Sequence, residues 1–333
     1  MTVLLRVRMI LQDNHGRKIE YIRIGVTDRC NLRCQYCMPE EGLQWKPQNQ
    51  VASKKEYQKI FELFQEWEIK KIRFTGGEPF LRKDFLDIVQ LATQFPFQEI
   101  AITTNGVLAA PSLPYLKKWN VQKINFSLDT LDPHRFKKIT RRNEFDKVVQ
   151  AIQMALELEM HVSVNAVLQS DSTEQELQQM MDWAIEKNIH LRFIEEMPFN
   201  GQGISPDWNW NWRRVENLIQ QHFSNQLHKI SHPNATSISY GMAHSDGSVG
   251  YIPAFSRTFC GTCNRLRLTP EGNLHHCLYS NQYYPILQSI REGKDPLQIN
   301  DEVKAFVQKK AINGFEAEKQ NHNQWVSMAK IGG

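Results

Sequence analysis

No uninterrupted apolar run in this 333-residue sequence approaches the roughly 20 residues that a membrane-spanning helix needs. Met1–Ile10 contains Arg6 and Arg8 and no small-residue cleavage site, so we predict no signal peptide. There is also no internal repeat and no low-complexity tract. The net charge of +4 is spread along the chain rather than gathered in a stripe, which favours an anionic small molecule over nucleic acid. We therefore predict a globular cytoplasmic protein that binds neither membrane nor nucleic acid.

Cysteine is scarce, and the six cysteines form two groups of three. The groups are Cys30, Cys34 and Cys37, and Cys260, Cys263 and Cys277. In a reducing cytosol, cysteines at such short spacings are more often metal ligands than disulfides. Three thiolates supply one ligand fewer than a closed tetrahedral zinc site or a 4Fe–4S cluster requires. The pattern predicts two metal centres, each with an open position where a substrate can bind.

Short apolar segments alternate with amphipathic ones from Tyr21 to about Ile194, which is typical of parallel βα units. The predicted strands are Tyr21–Val26, Lys71–Phe74, Glu99–Thr103, Lys123–Ser127, Val162–Leu168 and Leu191–Ile194. The predicted helices between them lie near Lys54–Trp67, Phe85–Thr93, Leu113–Trp119, Phe145–Glu159 and Glu174–Lys187. Six such strands form either an open doubly wound sheet or an incomplete barrel.

Polar residues follow five of these strands at the carboxyl end. The loops are Thr27–Cys30, Thr75–Pro79, Thr103–Gly106, Ser127–Asp129 and Glu195–Pro198. In a parallel barrel all of these ends face one mouth, whereas the ligands of an open sheet gather at a single switch point. We therefore predict an α/β fold in which residues 1–223 form a partial (βα)6 TIM-like barrel. Residues 224–333 would form a smaller α+β domain around the second cysteine group, with further helices near Pro285–Arg291 and Glu302–Gln308.

The first cysteine loop has the spacing Cys-x3-Cys-x2-Cys and follows the first predicted strand. A half zinc site is the alternative, although such a site usually has Cys-x2-Cys and a distant partner pair. The loop resembles the cluster loop of the radical S-adenosylmethionine (SAM) enzymes, where SAM chelates the open iron of a 4Fe–4S cluster. Thr75–Pro79 resembles the glycine motif of this family that meets the SAM amino group. Independently of the family, glycines let the backbone approach a ligand closely. The resemblance implies SAM contacts from Tyr36, Gly77, Glu78, Thr104, Ser127 and Met197.

Two arginines lie between Cys263 and Cys277 of the second cysteine group. A zinc knuckle with His275 or His276 as its fourth ligand is one interpretation. Arg265 and Arg267, however, would project to one face of a strand, where two guanidiniums suit a polyphosphate. Alternation along the first strand predicts that Arg23 faces the barrel interior, where an arginine needs an anion.

Over nearly the whole chain, from Gly16-Arg17 to Gly332-Gly333, the sequence resembles the radical SAM branch that acts on GTP in molybdenum cofactor biosynthesis. This resemblance implies two 4Fe–4S clusters on the six cysteines, SAM as cofactor, and a lyase that joins the ribose C3′ of GTP to C8 of its guanine. It implies catalytic roles for Arg23, Arg265 and Arg267, and GTP contacts from these three together with Lys71 and Arg73. It further implies a low-potential electron donor, a downstream cyclic pyranopterin monophosphate synthase, and a di-glycine tail that enters the active site. We expect a monomer or homodimer.

The sequence departs from this branch at four places. Ser163 replaces a usual lysine, His275-His276 replaces an arginine–proline pair, and Thr236–Met242 lacks the usual glycine-proline-alanine and tyrosine-arginine sequence. Trp208–Trp212 has no counterpart, and we interpret its three tryptophans as loop packing. Two other functions stay open. One is a radical SAM peptide-modifying enzyme with one auxiliary cluster, which usually has more C-terminal cysteines, and the other is a zinc-binding interaction module.

Overall fold

The computed structural model describes residues 9–121, 123–197, 210–230, 235–320 and 328. Within these residues, twelve strands form one sheet. They are β1 (Tyr21–Gly25), β2 (Lys71–Thr75), β3 (Glu99–Thr104), β4 (Lys123–Ser127), β5 (His161–Leu168), β6 (His190–Glu195), β7 (Leu227–Ile230), β8 (Ile238–Met242), β9 (Ser245–Ile252), β10 (Arg265–Leu268), β11 (Asn273–His275) and β12 (Tyr283–Pro285). The order across the sheet is β12-β11-β10-β1-β2-β3-β4-β5-β6-β9-β8-β7.

The six predicted parallel strands, β1 to β6, pair in chain order, which confirms the α/β barrel-like core. Two strands from the C-terminal part of the chain extend this parallel array. β10 pairs with β1 and β9 pairs with β6, both in parallel. The antiparallel β11 and β12 continue one edge, and β8 and β7 continue the other. The C-terminal part therefore covers both edges of the incomplete barrel, which would otherwise carry unpaired backbone groups.

The described residues form ten α-helices. They are α1 (Lys54–Glu66), α2 (Phe85–Ala92), α3 (Leu113–Lys118), α4 (Pro133–Thr140), α5 (Phe145–Glu157), α6 (Glu174–Glu186), α7 (Trp212–Phe223), α8 (Ile286–Arg291), α9 (Pro296–Gln308) and α10 (Gly314–Lys319). All five helices predicted between the strands form. Helices α4 and α10 were not predicted from the sequence, and α9 begins six residues before its predicted start at Glu302.

The start of α4 has a recognisable signal. Asp132 accepts a hydrogen bond from the backbone N–H of His134 at 2.8 Å, and Pro133 occupies the first turn. A capping aspartate followed by proline is a common helix start. The same pair, Asp295 and Pro296, begins α9. These caps therefore mark helix starts that periodicity alone did not locate.

Trp210 and Trp212 pack against the main core. Trp210 is 1% exposed, and its Nε1 donates to the carbonyl oxygen of Ser172 at 3.0 Å. Trp212 stacks on Tyr251 with ring centroids 6.1 Å apart. The packing interpretation is confirmed for these two tryptophans, while Trp208 lies outside the described residues. No helix in the described part of the chain is long and apolar enough to cross a membrane.

Candidate active site

All six cysteines line one cavity of about 310 Å³. The cavity is bordered by the loops that follow β1 to β4 and β6 at their carboxyl ends, by residues of β5 itself, and by the segments that carry the second cysteine group. Five of the six predicted SAM-binding residues and three predicted arginines line the same cavity. They are Tyr36, Gly77, Thr104, Ser127 and Met197, with Arg23, Arg265 and Arg267. The structure thus brings together two ligand sets that lie more than 200 residues apart in the sequence.

The first cysteine loop is a tight turn. The carbonyl oxygen of Cys34 accepts the backbone N–H groups of Cys37 at 3.0 Å and Met38 at 3.1 Å. The amide of Asn105 lies 3.7 Å from the sulfur of Cys30. Burial raises the pKa of Cys30 to about 12, with further contributions from Glu78 and Cys37. Such a thiol ionises readily when a metal takes the place of its proton, so the loop suits a metal cluster better than a free reactive thiolate.

The glycine pair after β2 packs directly on the backbone that leads into the first cysteine loop. The N–H of Gly77 donates to the carbonyl oxygen of Thr27 at 2.8 Å, and the N–H of Glu78 donates to that of Arg29 at 2.7 Å. A Cβ on Gly77 would lie 2.2 Å from the Arg29 oxygen. Gly76 has φ of +151°, and a Cβ there would lie 2.4 Å from the Thr27 oxygen. The two glycines are therefore required by a backbone-to-backbone contact.

Glu78 is fully buried and is not among the residues that line the cavity. One carboxylate oxygen accepts the hydroxyl of Thr104 at 2.7 Å and the N–H of Phe80 at 3.1 Å. The other accepts the N–H of Asn105 at 2.7 Å. The carboxylate joins the loops after β2 and β3, whereas its predicted contact with SAM stays a prediction.

Replacement of Glu78 by glutamine is expected to change the pH dependence of stability. Burial raises the pKa of Glu78 to about 7, against hydrogen bonds from Asn105, Thr104 and Phe80 that lower it. Between the ordinary pKa of 4.5 and this value, the unfolded chain loses the proton while the folded chain retains it. The contribution of Glu78 to the free energy of unfolding therefore falls as the pH rises through that window and is constant above it.

Relative to Glu78→Gln, the free energy of unfolding of the wild type should fall by roughly 3 kcal/mol across the window. Denaturant unfolding of both metal-free proteins between pH 4.5 and 8 measures this difference. Identical pH profiles for the two proteins would contradict the assignment.

The second cysteine group lies among buried cations. Although burial raises the pKa of Cys263, the positive charges of Lys310 and Arg265 lower it to about 6. His276 is fully buried and stacks on Phe306 with ring centroids 4.7 Å apart.

The described residues contain no group of three His, Cys, Asp or Glu side chains placed to hold a single metal ion. A 4Fe–4S cluster makes a different demand, because its thiolates bind separate irons. Three cysteines that face a cavity beside buried cations can supply the thiolate ligands of such a cluster.

A second cavity, of about 610 Å³, adjoins the first. Five residues line both: Arg23, Asn165, Thr236, Ile252 and Arg265. Two further arginines, Arg73 and Arg192, project into the second cavity from β2 and β6. Lys71 also lines it, but the ammonium of Lys71 forms an ion pair with Glu99. We call this second cavity the basic chamber.

In the basic chamber Arg73 is buried, Arg23 and Arg192 are half-buried, and the partners of Arg73 and Arg192 are neutral hydroxyls. Arg73 donates to the hydroxyl of Tyr21 at 3.0 Å, and Arg192 donates to the hydroxyl of Ser163 at 2.7 Å. The Nε of Arg23 has no hydrogen-bond partner among the described residues. Burial, together with the charge of nearby arginines, lowers the pKa of Arg23 to about 9 and that of Arg192 to about 10. Because buried cations are costly without a counter-charge, this cluster is preformed for a polyanion.

Arg192 was not among the site residues predicted from the sequence. It lies in β6 between the buried Leu191 and Phe193, so strand alternation places it on the opposite, interior face. The strand alternation that predicts an inward side chain for Arg23 in β1 predicts the same for Arg192 in β6.

Comparison with known proteins gives matches over both parts of the chain. The model described as the Radical SAM superfamily matches residues 24–184, and the one described as Molybdenum Cofactor Synthesis C matches residues 189–315. The GTP 3′,8-cyclase of Desulforamulus reducens is 37% identical over 331 residues, with 96% of this chain and 99% of that protein covered.

Two animal relatives are longer proteins. Molybdenum cofactor biosynthesis protein 1 of Drosophila melanogaster is 36% identical, with 96% of this chain and 57% of the relative covered. The Caenorhabditis elegans protein moc-5 is 38% identical, with coverages of 92% and 50%. The chain therefore spans about half the length of these two relatives. The crystal structure of Streptococcus suis SuiB bound to S-adenosylmethionine has a TM-score of 0.63 at 14% identity and covers 90% of this chain and 69% of SuiB, which shows a shared fold.

Proposed function

The chain belongs to the GTP 3′,8-cyclase family of radical SAM proteins, and we propose that it converts GTP to 3′,8-cyclo-7,8-dihydro-GTP in molybdenum cofactor biosynthesis. The observation that carries this proposal is the pair of adjoining cavities. One is lined by both cysteine groups, and the other is lined by four arginines. A nucleoside triphosphate fits both cavities, since its base and ribose suit the first and its phosphates suit the arginines of the second.

The donor sets fit two 4Fe–4S clusters and SAM. Cys30, Cys34 and Cys37 would hold the first cluster beside the SAM-binding loops, and Cys260, Cys263 and Cys277 would hold the second. When bound, these groups supply the reductive cleavage of SAM, hydrogen-atom abstraction from the ribose, and an open iron for the guanine. The protein contributes the walls that bind and orient the reactants and exclude water.

The shared wall between the cavities gives GTP an orientation. Its base and ribose would lie between the two cysteine groups, and its triphosphate would enter the basic chamber past Arg23 and Arg265. Arg267 lines only the cavity of the cysteines, so it would act near the base and ribose. Arg73 and Arg192 would bind the terminal phosphates, since guanidiniums pair well with phosphate oxygens. Lys71, paired with Glu99, would contribute at the rim.

Replacement of Arg192 by alanine is expected to weaken GTP binding about 10- to 100-fold, because a charge-assisted hydrogen bond contributes roughly 1.5–3 kcal/mol. Calorimetric titration of anaerobic protein with GTP measures the dissociation constant. Arg213→Ala is the matched control, because Arg213 is exposed on α7 and is not among the residues that line either cavity. Equal affinities for wild type and Arg192→Ala would exclude Arg192 from the triphosphate site.

Anaerobic turnover with SAM, dithionite and GTP tests the function itself. The proposal requires 5′-deoxyadenosine and a cyclised nucleotide to form together, from protein with about eight irons and eight sulfides per chain. Formation of 5′-deoxyadenosine without GTP consumption would overturn the substrate assignment. About four irons per chain would indicate an enzyme with a single cluster, and zinc without iron would favour an interaction module.

Several further expectations from the sequence stay predictions. They are the downstream cyclic pyranopterin monophosphate synthase, the low-potential electron donor, a monomeric or homodimeric state, and a cytoplasmic location. The predicted entry of Gly332-Gly333 into the active site concerns a segment outside the described residues.

A further inference from the structure

Lys310 ties together the backbone beside two cysteines of the second group. Its side chain is only 3% exposed and lines the cavity of the cysteines. The ammonium donates to the carbonyl oxygen of Arg265 at 3.2 Å, two residues beyond Cys263. It also donates to the carbonyl oxygen of His276, directly before Cys277. One buried side chain thus bridges the two segments that carry these ligands.

The charge of Lys310 has no carboxylate partner among the described residues, and its two hydrogen-bond acceptors are neutral carbonyls. Arg17 offers a contrast on the other side of the group. Arg17 donates to the carbonyl oxygen of Cys260 at 2.9 Å, but Asp13 neutralises it through a 2.6 Å ion pair. A buried ammonium needs a counter-charge, and for Lys310 the neighbouring anionic group is the thiolate set that includes Cys263.

Arg265, which also lies near the second cysteine group, has a second candidate partner. Arg265 lines both cavities, so the triphosphate of a bound nucleotide would share its charge. Lys310 lines the cavity of the cysteines and is not among the residues that line the basic chamber. Its charge is therefore directed to the cysteine group whether or not a nucleotide is bound.

We propose that Lys310 is the positioning residue of the second cluster, fixing the separation of Cys263 and Cys277 and supplying the buried counter-charge that makes the cluster easier to reduce. The proposal rests on the second cluster of the proposed function. One-electron reduction of a [4Fe–4S]²⁺ cluster to [4Fe–4S]⁺ adds negative charge. A cation in a low-dielectric site stabilises that reduced form more than the oxidised form.

The test is a mediated redox titration of the anaerobically reconstituted full-length protein, followed by electron paramagnetic resonance. Addition of SAM identifies the signal of the first cluster, since SAM binds that cluster's open iron. Lys310→Met removes the charge, and Lys310→Arg retains it. Lys309→Met is the matched control, because Lys309 is the exposed neighbour.

We expect Lys310→Met to lower the midpoint potential of the second cluster while that of the first is unchanged. Lys310→Arg and Lys309→Met should keep the wild-type potentials. Loss of the second cluster in Lys310→Met but not in Lys310→Arg would equally support the charge role. Two results would overturn the proposal. One is that Lys310→Met binds about eight irons and its second cluster keeps the wild-type midpoint potential, and the other is that both Lys310 variants lose the second cluster. Wild-type protein with about four irons would instead overturn the proposed function.

Discussion

Replacement of Cys34 by alanine is expected to abolish formation of 5′-deoxyadenosine and to leave about four irons per chain instead of about eight. Cys34 contributes its thiol to the cavity, while its carbonyl oxygen makes the turn that presents Cys37. Alanine keeps that backbone turn and removes only the ligand. The loss should therefore come from the missing cluster and not from unfolding.

Cys263→Ala is the matched comparison in the second group. This variant should also retain about four irons, but its first cysteine loop is intact, so it should still cleave SAM to 5′-deoxyadenosine without consuming GTP. Iron and sulfide analysis, together with chromatography of the nucleosides, distinguishes the two variants. If Cys34→Ala still formed 5′-deoxyadenosine, or if both variants lost it equally, the assignment of separate roles to the two groups would be wrong.

Gly77→Ala is expected to prevent assembly of the first cluster and to destabilise the fold by roughly 3–5 kcal/mol. The new methyl group would lie 2.2 Å from the carbonyl oxygen of Arg29 and 2.7 Å from that of Asp28, which are backbone atoms with no side-chain freedom. Relief requires the loops after β1 and β2 to separate, which breaks the hydrogen bonds from Gly77 and Glu78 to that backbone. The displaced segment leads directly into Cys30.

Iron content after anaerobic reconstitution and denaturant unfolding measure these effects. Gly261→Ala is the control within the second cysteine group, since a Cβ at Gly261 meets no atom within 4 Å. It should bind about eight irons and unfold like the wild type. Full cluster content in Gly77→Ala would mean that the close backbone contact is not required for the cysteine loop.

Local elements of the fold could be predicted from the sequence, whereas contacts between segments far apart in the chain could not. The strands β1 to β6 were predictable because each is a short apolar run bounded by turn residues. The pairing of β10 with β1 was not, because it joins segments about 240 residues apart and depends on closure of the whole barrel. The helix α4 was missed although its Asp132-Pro133 start is a local signal.

The same distinction holds for the site. The cysteines were identified by spacing, and their convergence on one cavity followed once the family resemblance was recognised. The buried position of Glu78 could not be predicted, because whether a carboxylate faces a ligand or braces a loop depends on which backbone N–H groups lie nearby. Lys310 was missed for a related reason, since its acceptors are carbonyls on segments distant in the sequence.

The placement of β9 and β10 on opposite edges of the parallel array limits how this architecture can be divided. A chain cut after Phe223 would expose the backbone edges of both β1 and β6, the strands that β10 and β9 cover. The segment with the second cysteine group is thus not a cassette that can be exchanged between barrels by matching its three ligands alone. Any transplant would have to reproduce two separate strand pairings.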